Sequence, residues 1–290
     1  MTASEAEMGQ SDFVKFWNDT LVPKFIRYRH ILVDGLLHHS AQIFPTLEVR
    51  EGDRVADVGC GFGDTAIQLA QRVGPEGSVL GIDCCEAFLA IARDDAAAQG
   101  VNNVSFVEGD VQSYPFEAIH DFCFSRFGTM FFENPVAGLK NMRRALKPGG
   151  MMTAIVWRPI DDNPWLGLPK EIVLRFLPPP GDDADTCGPG PFSMADQEMV
   201  TKQYEIAGYT DIKFDRVDAP LVIGRNPDDA VAFQIALGPA GEVFREAGDE
   251  ALRKQDEIEA ALKSELKAYE TPDGIVLDSS SWVISARNPE

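Results

Sequence analysis

The chain has 290 residues, of which 44% are hydrophobic, and this size suits one large α/β domain with insertions and a sizeable core. Its 26 basic and 46 acidic residues give a formal net charge of -20. That charge would repel a phosphate backbone, so we expect no nucleic-acid partner. No stretch approaches the roughly 20 apolar residues of a membrane-spanning helix. The five cysteines lack metal-site spacing, and we expect a soluble, cytoplasmic protein.

The first segment is predicted to be helical. Apolar residues recur at helical spacing from Asp12 to about Leu47, and the pattern predicts two helices that break near Pro23. From Arg54 onward, strand and helix patterns alternate. The predicted strands are 54–58, 78–83, 103–108, 121–125 and 150–157, and the predicted helices are 63–73, 86–99 and 134–146. This alternation predicts a parallel sheet with crossover helices.

The second half of the chain begins with a long irregular run. Residues 158–193 are dense in proline and acidic residues, with one short helix expected at 169–176, and such segments are typical of a lid. Beyond it the patterns predict helices at 195–207, 227–237 and 241–269, and strands at 211–217 and 281–286. The last long helix is expected to pack on its own domain. The predicted organisation is a helical cap at 1–50, a core at 51–157, an inserted lid at 158–195, and a remainder of the core at 196–290 with a helical insertion at 227–270.

A glycine-rich turn follows the first predicted strand of the core. Gly59, Gly61 and Gly63 stand on alternate positions after Asp57, which lies inside the strand. Glycine allows the backbone to approach a ligand closely and to adopt the positive φ of a sharp strand-to-helix turn. A nicotinamide-binding turn would carry its third glycine at the position of Asp64. The spacing therefore disfavours NAD.

Two further acidic residues end the next two predicted strands. Asp83 closes the strand Val79–Asp83, where a carboxylate can accept hydrogen bonds from both ribose hydroxyls. Asp110 follows the third strand, where a carboxylate and the adjacent Val111 backbone can recognise adenine. With the glycine turn, these acids predict S-adenosylmethionine as the cofactor.

On these motifs the chain resembles the class I S-adenosylmethionine-dependent methyltransferases over about residues 54–157. It is most similar to the small-molecule branch that includes the ubiquinone and menaquinone methyltransferases, although Ser125-Arg126-Phe127-Gly128 replaces their arginine-asparagine element. The resemblance implies an α/β, Rossmann-like, seven-stranded sheet with residues 281–286 as an antiparallel strand beside the fifth. It also implies helical N-terminal and inserted lid segments around that sheet.

The resemblance also implies roles for individual residues. Gly59, Gly61 and Gly63 would line the methionine part of the cofactor, and Asp57 would hold its amino group or order the loop. Asp83 would take the ribose and Asp110 with Val111 the adenine, while Cys84 would contact the adenine or ribose or simply pack. Ser125 and Arg126 would meet the methionine moiety. The positions expected to form the acceptor pocket are Phe127, Met130, Phe131 and Trp157.

The catalytic group stays open at this point. An oxygen or nitrogen acceptor must lose a proton, and Tyr28, His38 and His39 are candidates for a general base because the family's N-terminal helices often cover the site. His120 is expected to be structural. Metal-assisted methylation would need a carboxylate where Ser125 stands, so no metal is expected, although acidic residues at 161–162 and 182–185 keep one open.

The sequence therefore predicts methyl transfer to a small, hydrophobic or aromatic acceptor, with a homodimer left open. Two alternatives remain. One is a member of the same class with non-methylating chemistry, such as decarboxylation or cyclisation. The other is a non-catalytic adenosine-ligand binding or assembly protein.

Overall fold

A mostly parallel β-sheet forms the centre of the computed structural model, which describes residues 12–181 and 189–290. Its strand order is β3-β2-β1-β4-β5-β8-β6, and the short β7 pairs with β8. The strands are β1 (Arg54–Val58), β2 (Ser78–Asp83), β3 (Val104–Glu108), β4 (His120–Arg126), β5 (Leu146–Trp157), β6 (Thr210–Gly224), β7 (Glu270–Thr271) and β8 (Gly274–Arg287).

Helices cover the sheet and its carboxyl edge. They are α1 (Asp12–Phe16), α2 (Val22–Arg27), α3 (Arg29–Ile43), α4 (Asp64–Val73), α5 (Glu86–Ala98), α6 (Pro135–Ala145), α7 (Pro164–Leu174), α8 (Gln197–Ala207), α9 (Pro227–Ala236), α10 (Gly238–Glu246) and α11 (Asp249–Leu266). A π-helical turn, Trp17–Leu21, joins α1 to α2. Short 3-10 turns lie at Phe44–Thr46, Thr129–Phe131, Ile160–Asp162 and Lys267–Tyr269. Within the described residues, no helix has the length and apolar character needed to cross a membrane.

The predicted sheet is confirmed. Strands β1 to β5 pair in parallel, and β8 lies antiparallel between β5 and β6. Four of the five residues of β1 are buried, which fits a strand covered by helices on both faces. Because all five parallel strands run in one direction, their carboxyl ends share one edge of the sheet, where ligands bind in folds of this kind.

The predicted helix break at Pro23 is wrong. Pro23 lies in the first turn of α2, where a missing N–H costs nothing because that group has no intrahelical acceptor. The break falls instead at Tyr28, whose backbone leaves the helical region at φ -104° and ψ 19°. The single helix predicted at 241–269 is also wrong. Gly248, with φ of +52°, separates α10 from α11.

The segment predicted as an irregular lid contains a full helix. α7 runs from Pro164 to Leu174, so it begins earlier than the short helix predicted at 169–176, and Pro169 lies inside it. Pro169 cannot donate to the carbonyl of Trp165, but the Gln234 side chain on α9 donates to that oxygen at 3.0 Å. The interior proline is thus tolerated because a neighbouring helix supplies the missing donor. The acidic residues at 182–185 lie outside the described residues.

Candidate cofactor and acceptor site

A cavity of about 250 Å³ opens at the carboxyl edge of the sheet. Residues at or just beyond the ends of all five parallel strands line it: Gly59 after β1, Asp83 on β2, Asp110 after β3, Arg126 on β4 and Trp157 on β5. Residues of α1 to α3, α7, α9 and α10 also line it. The cavity therefore extends from the glycine turn to the helices that enclose the edge of the sheet.

The three glycines of the turn all have positive φ, at +64°, +52° and +74° for Gly59, Gly61 and Gly63. A Cβ at Gly63 would lie 2.6 Å from the Ala92 Cβ, and one at Gly59 would lie 3.1 Å from the Gly128 Cα. A Cβ at Gly61 would meet no atom within 4 Å. Gly59 and Gly63 are thus required by packing, whereas the open space at Gly61 faces the cavity.

Asp83 connects the glycine turn to the start of α5. Its Oδ2 accepts a hydrogen bond from the Gly61 N–H at 2.9 Å, and its Oδ1 accepts one from the Cys85 N–H at 3.0 Å. Burial raises the pKa of the Asp83 carboxyl, and hydrogen bonds from the Gly61, Cys85 and Cys84 backbone and from the Cys85 thiol act against that rise. The carboxylate also lines the cavity, where ligand hydroxyls can donate to the same oxygens.

Asp110 and Val111 form the wall beyond β3. The backbone N–H of Gln112 donates to Asp110 Oδ1 at 2.9 Å, which fixes the carboxylate beside the cavity. Val111 is buried, and its carbonyl accepts a hydrogen bond from Asn141 at 2.7 Å. Cys84 also lines the cavity, next to Asp83.

Asp57, Gly63 and Ser125 are not on the cavity wall. Asp57 is fully buried beneath the turn and accepts a hydrogen bond from the Thr65 hydroxyl at 2.6 Å. Burial raises its pKa to about 7. The Ser125 hydroxyl donates to the Val58 carbonyl at 2.7 Å and is also fully buried. These side chains hold β1, β4 and α4 together, and of the two predicted roles of Asp57 the structure favours ordering of the loop.

Arg126 lies at the end of β4 and forms an ion pair with Asp64. One guanidinium nitrogen, Nη2, contacts Asp64 Oδ1 at 2.8 Å and Oδ2 at 2.7 Å, and the other, Nη1, donates to the Ser40 hydroxyl on α3 at 3.2 Å. The side chains are only 7% and 16% exposed. Asp64 thus stands at the position where a nicotinamide-binding turn would carry its third glycine. Here it forms an ion pair that fixes the start of α4 to the end of β4.

An aromatic wall closes the other part of the cavity. The Phe127 ring stacks on Trp157, with ring centroids 3.9 Å apart and planes inclined by 22°, and Trp165 contacts Trp157 edge-on at 5.2 Å. Phe127 has a φ of +56°, unusual for a bulky side chain, and its N–H donates to the Ile155 carbonyl. Met130 and Phe131 also line the cavity. All four residues predicted for the acceptor pocket thus lie together.

The candidate general bases do not line the cavity, which corrects the sequence interpretation. His39 is fully buried between the hydroxyls of Ser279 and Ser281, at 2.8 Å from each. Burial lowers its pKa to about 4, so the ring is neutral at neutral pH. The Tyr28 hydroxyl donates to the Ala232 carbonyl at 2.9 Å, and His38 is exposed on α3. His120 is buried at the amino end of β4 and bonds to the Ala145 carbonyl, as a structural residue would.

Two parts of the wall are absent from the sequence prediction of the pocket. The N-terminal helices contribute aromatic residues, among them Trp17, which contacts Phe131 with ring centroids 5.1 Å apart. The helix α10 contributes two charged residues, Glu242 and Arg245. Both parts of the wall lie far along the chain from the strand ends that carry the motifs, so no motif indicated them. For Glu242 and Arg245, the sequence showed only the helical pattern of residues 241–269.

Asp83, Cys84 and Cys85 form a compact group of potential metal ligands, which bears on the expectation of no metal. Their ligand atoms lie within 4.8 Å of one another, and the two sulfurs are 3.7 Å apart. A hydrogen bond with Cys84, together with burial, raises the pKa of the Cys85 thiol, which keeps that group protonated. Both Asp83 oxygens accept backbone hydrogen bonds. These properties favour a hydrogen-bonded turn over a resident metal centre.

Comparison with known proteins agrees with this geometry. Residues 55–150 match the model of a family described as methyltransferase domain. A demethylmenaquinone methyltransferase from Staphylococcus aureus (strain JH9) is 29% identical over 184 residues, which cover 59% of this chain and 74% of that protein.

Solved structures show the same fold. A putative methyltransferase from Bacillus halodurans C-125 has a TM-score of 0.56 at 19% identity, covering 86% of this chain and 98% of that one. Phosphoethanolamine N-methyltransferase 2 from Haemonchus contortus, in complex with S-adenosyl-L-methionine, has a TM-score of 0.56 at 18% identity, covering 97% of this chain and 61% of that one.

The strand order, the glycine turn and the family match define the class. The chain is a class I S-adenosylmethionine-dependent methyltransferase, an enzyme of the EC 2.1.1 group, and S-adenosylmethionine is its methyl donor. The alternatives of non-methylating chemistry and of a non-catalytic binding protein are therefore not favoured.

Proposed function

We propose that this enzyme transfers the methyl group to a small, hydrophobic or aromatic acceptor. The observation that carries the proposal is the single cavity that joins the glycine turn to the aromatic wall of Phe127, Trp157 and Trp165. Polar groups converge at one part of this cavity and aromatic rings at the other. Such a division suits a nucleoside at the polar part and an apolar molecule at the aromatic part.

The residues at the polar part fit S-adenosylmethionine. Asp83 is the acidic acceptor on the cavity wall proposed for the ribose hydroxyls, and Asp110 with Val111 borders the position proposed for the adenine. The open space beside Gly61 admits the methionine moiety without contact with a Cβ. In this proposal Asp57, Gly63 and Ser125 support the site from beneath, and Gly59, Cys84 and Arg126 form its wall.

The bound cofactor supplies a methyl group on a positively charged sulfur with a good leaving group. The protein then has to position the acceptor and exclude water, and both effects lower the barrier without a nucleophilic side chain. Helix α1, the π-helical turn after it and α2 carry Phe16, Trp17 and Phe25 onto the cavity, so this segment is placed to exclude solvent. We propose that this N-terminal cap, together with the segment around α7, forms the lid of the site.

The acceptor is proposed as a class and not as one compound. The similarity to a demethylmenaquinone methyltransferase supports a quinol-like aromatic acceptor. The sequence Ser125-Arg126-Phe127-Gly128 stands where the resemblance expects an arginine-asparagine element, and Arg126 is engaged by Asp64. A prenylated naphthoquinol is therefore one test compound among several aromatic acceptors.

Calorimetric titration with S-adenosylmethionine, S-adenosylhomocysteine and NADH tests the polar part of the site. We expect saturable micromolar binding of the two sulfur compounds and none of NADH. Transfer of a labelled methyl group is then measured with a prenylated naphthoquinol, substituted phenols, anilines and thiols, against aliphatic polar amines. Transfer confined to the polar amines would contradict the apolar acceptor.

The setting of the enzyme is proposed from its thiols. The described cysteines, Cys60, Cys84, Cys85 and Cys123, are all free, which supports a reducing cytoplasmic environment. Fractionation of the source cells checks this location. A homodimer stays a prediction, and sedimentation equilibrium of the purified protein checks it.

A further inference from the structure

The helix α10 presents one charged face to the cavity. Gly238, Gly241, Glu242 and Arg245 line the cavity at intervals that place them on the same side of a helix. The cavity-lining residues that precede Glu242 on this helix are Gly238, Pro239 and Gly241, which carry no long side chain. The helix packs against α7, which carries Trp165 of the aromatic wall.

Glu242 has no hydrogen-bond or ion-pair partner among the described residues. Its neighbour on the same face, Arg245, pairs with Glu246 at 2.9 Å and lies over the Phe16 ring at 5.1 Å. Glu242 thus lies on the wall of a largely apolar cavity, while the adjacent Arg245 guanidinium is engaged elsewhere. An unpaired charged group in such a place is costly unless a ligand uses it.

Burial, two cations and one anion act on the Glu242 carboxyl, and burial has the largest effect. Arg245 on its own helix and Lys170 on α7 lower its pKa, and Glu246 raises it. On α9, the other helix packed against α10, Asp228 and Asp229 pair with Lys263 and Arg225. Burial outweighs these effects and raises the pKa of Glu242 above its ordinary value. A carboxylate with a raised pKa is a stronger base than an exposed one.

We propose that Glu242 is the general base of the acceptor site and that the acceptor carries an ionisable hydroxyl or N–H group on an apolar or aromatic body. This inference rests on the proposed function, because it names a group in the same cavity. It replaces Tyr28, His38 and His39, which lie away from the cavity wall.

The step moves one proton to Glu242 and one methyl group to the acceptor. The acceptor hydroxyl or N–H passes its proton to the Glu242 carboxylate, and the electron pair left on the acceptor, or conjugated onto a ring carbon, forms the new bond to the methyl carbon. The bond between the methyl carbon and sulfur breaks, and its electron pair stays on sulfur, which gives S-adenosylhomocysteine. The proton on Glu242 then leaves to solvent.

Binding of two probe compounds tests the contact without any methyl transfer. Calorimetry with 1-naphthol and 1-methoxynaphthalene, in the presence of S-adenosylhomocysteine, compares a hydroxyl with a group that cannot donate. We expect the wild type to prefer the naphthol about tenfold or more, as a hydrogen bond to a charged group provides. Glu242→Leu should bind both compounds equally. The control Glu171→Gln, at an exposed glutamate of α7, should keep the wild-type preference.

The outcomes separate this inference from the proposed function. If the wild type and Glu242→Leu prefer 1-naphthol over 1-methoxynaphthalene to the same extent, the role of Glu242 is overturned. The apolar pocket is then unaffected. Failure of both compounds to bind the wild type overturns the apolar pocket, and Glu242 as its base with it.

A second measurement separates a base from a hydrogen-bond acceptor. Glu242→Gln keeps the shape and an acceptor oxygen but cannot take a proton. With the first aromatic acceptor that the wild type methylates, we expect single-turnover transfer to fall about 100-fold or more, and affinity for S-adenosylhomocysteine to stay unchanged. A transfer rate within a few-fold of the wild type would overturn the role as a base.

Discussion

Arg126 and Asp64 join the end of β4 to the first turn of α4 through a two-oxygen contact at 2.8 and 2.7 Å. The pair lines the cavity beside the glycine turn, and Arg126 also reaches Ser40 on the N-terminal helix α3. Asp64 lies at the amino end of α4, where the helix dipole stabilises a negative charge. One ion pair thus connects the sheet, the turn and the cap.

We expect Arg126→Met to lower the free energy of unfolding by about 3 kcal/mol, because Asp64 is left as a poorly solvated charge without its partner. Equilibrium urea denaturation measures the change. The matched control is Arg175→Met, since the Arg175 to Glu265 pair is about half exposed on both sides and should contribute less than about 1 kcal/mol. Similar losses in the two variants would show that the pair at the cavity is no more stabilising than a surface pair.

The position of Asp64 illustrates what the sequence could predict. Asp64 stands where a nicotinamide-binding turn carries its third glycine, so the sequence disfavoured NAD. Asp83 and Asp110 indicated the nucleoside site because each directly follows or ends a strand, which is a local feature of the chain. The partner of Asp64 could not be predicted, since Arg126 lies 62 residues away and meets it only through the pairing of β1 with β4.

We expect Asp83→Ala to weaken S-adenosylmethionine binding by about 1.5 to 3 kcal/mol, because hydrogen bonds to a charged acceptor are lost. Calorimetric titration measures the affinity. Asp121→Ala is the control, since Asp121 lies at the amino end of β4 and pairs with Lys147, away from the cavity. An unchanged affinity in Asp83→Ala would remove the assignment of Asp83 to the ribose.

Gly61→Ala should reduce cofactor affinity more than stability. Its φ of +52° makes an alanine cost about 1 to 2 kcal/mol in folding, and the new methyl group points into the space proposed for the cofactor. Gly100→Ala provides the comparison, since Gly100 has φ of +68° and equally open surroundings but does not line the cavity. We expect similar shifts in urea midpoint for both variants and a loss of affinity only for Gly61→Ala. Equal affinities would place the cofactor away from Gly61.

The acceptor part of the site was harder to predict than the nucleoside part. The residues after β4 and β5 were identified because aromatic side chains follow the strand ends directly. Glu242 was not, because it belongs to α10, a helix that reaches the cavity only through its packing against α7 and α9. The histidines were misassigned for a related reason. Sequence shows that His39 lies on a helix near the site but not that two serines of β8 engage its ring.

Asp57 should make the protein less stable as the pH rises. Its pKa is raised from 3.8 to about 7 by burial, so between these values the folded state keeps a proton that the unfolded state has lost. The free energy of unfolding therefore falls through this range, by about 4 kcal/mol at most from this group, and the full cost is present above pH 7. Asp57→Asn lacks the ionisation, so its stability relative to the wild type should increase from pH 4 to pH 7. A constant difference across this range would show that Asp57 is ionised when folded.

His39 should make the protein less stable as the pH falls, which is the opposite of the effect of Asp57. Its pKa is lowered from 6.5 to about 4 by burial, so below pH 6.5 the unfolded state binds a proton that the folded state does not. The free energy of unfolding should fall as the pH drops from 6.5 to 4, by about 3 kcal/mol at most from this group. Between pH 4 and 6.5 this effect opposes that of Asp57, and the wild-type profile should be flatter than that of either single variant. Urea denaturation of His39→Gln across this range measures the difference.

The same variant should retain methyl transfer at neutral pH. The His39 ring lies behind Trp157 and away from the cavity wall. A variant that folds like the wild type but has lost transfer would return His39 to the catalytic site.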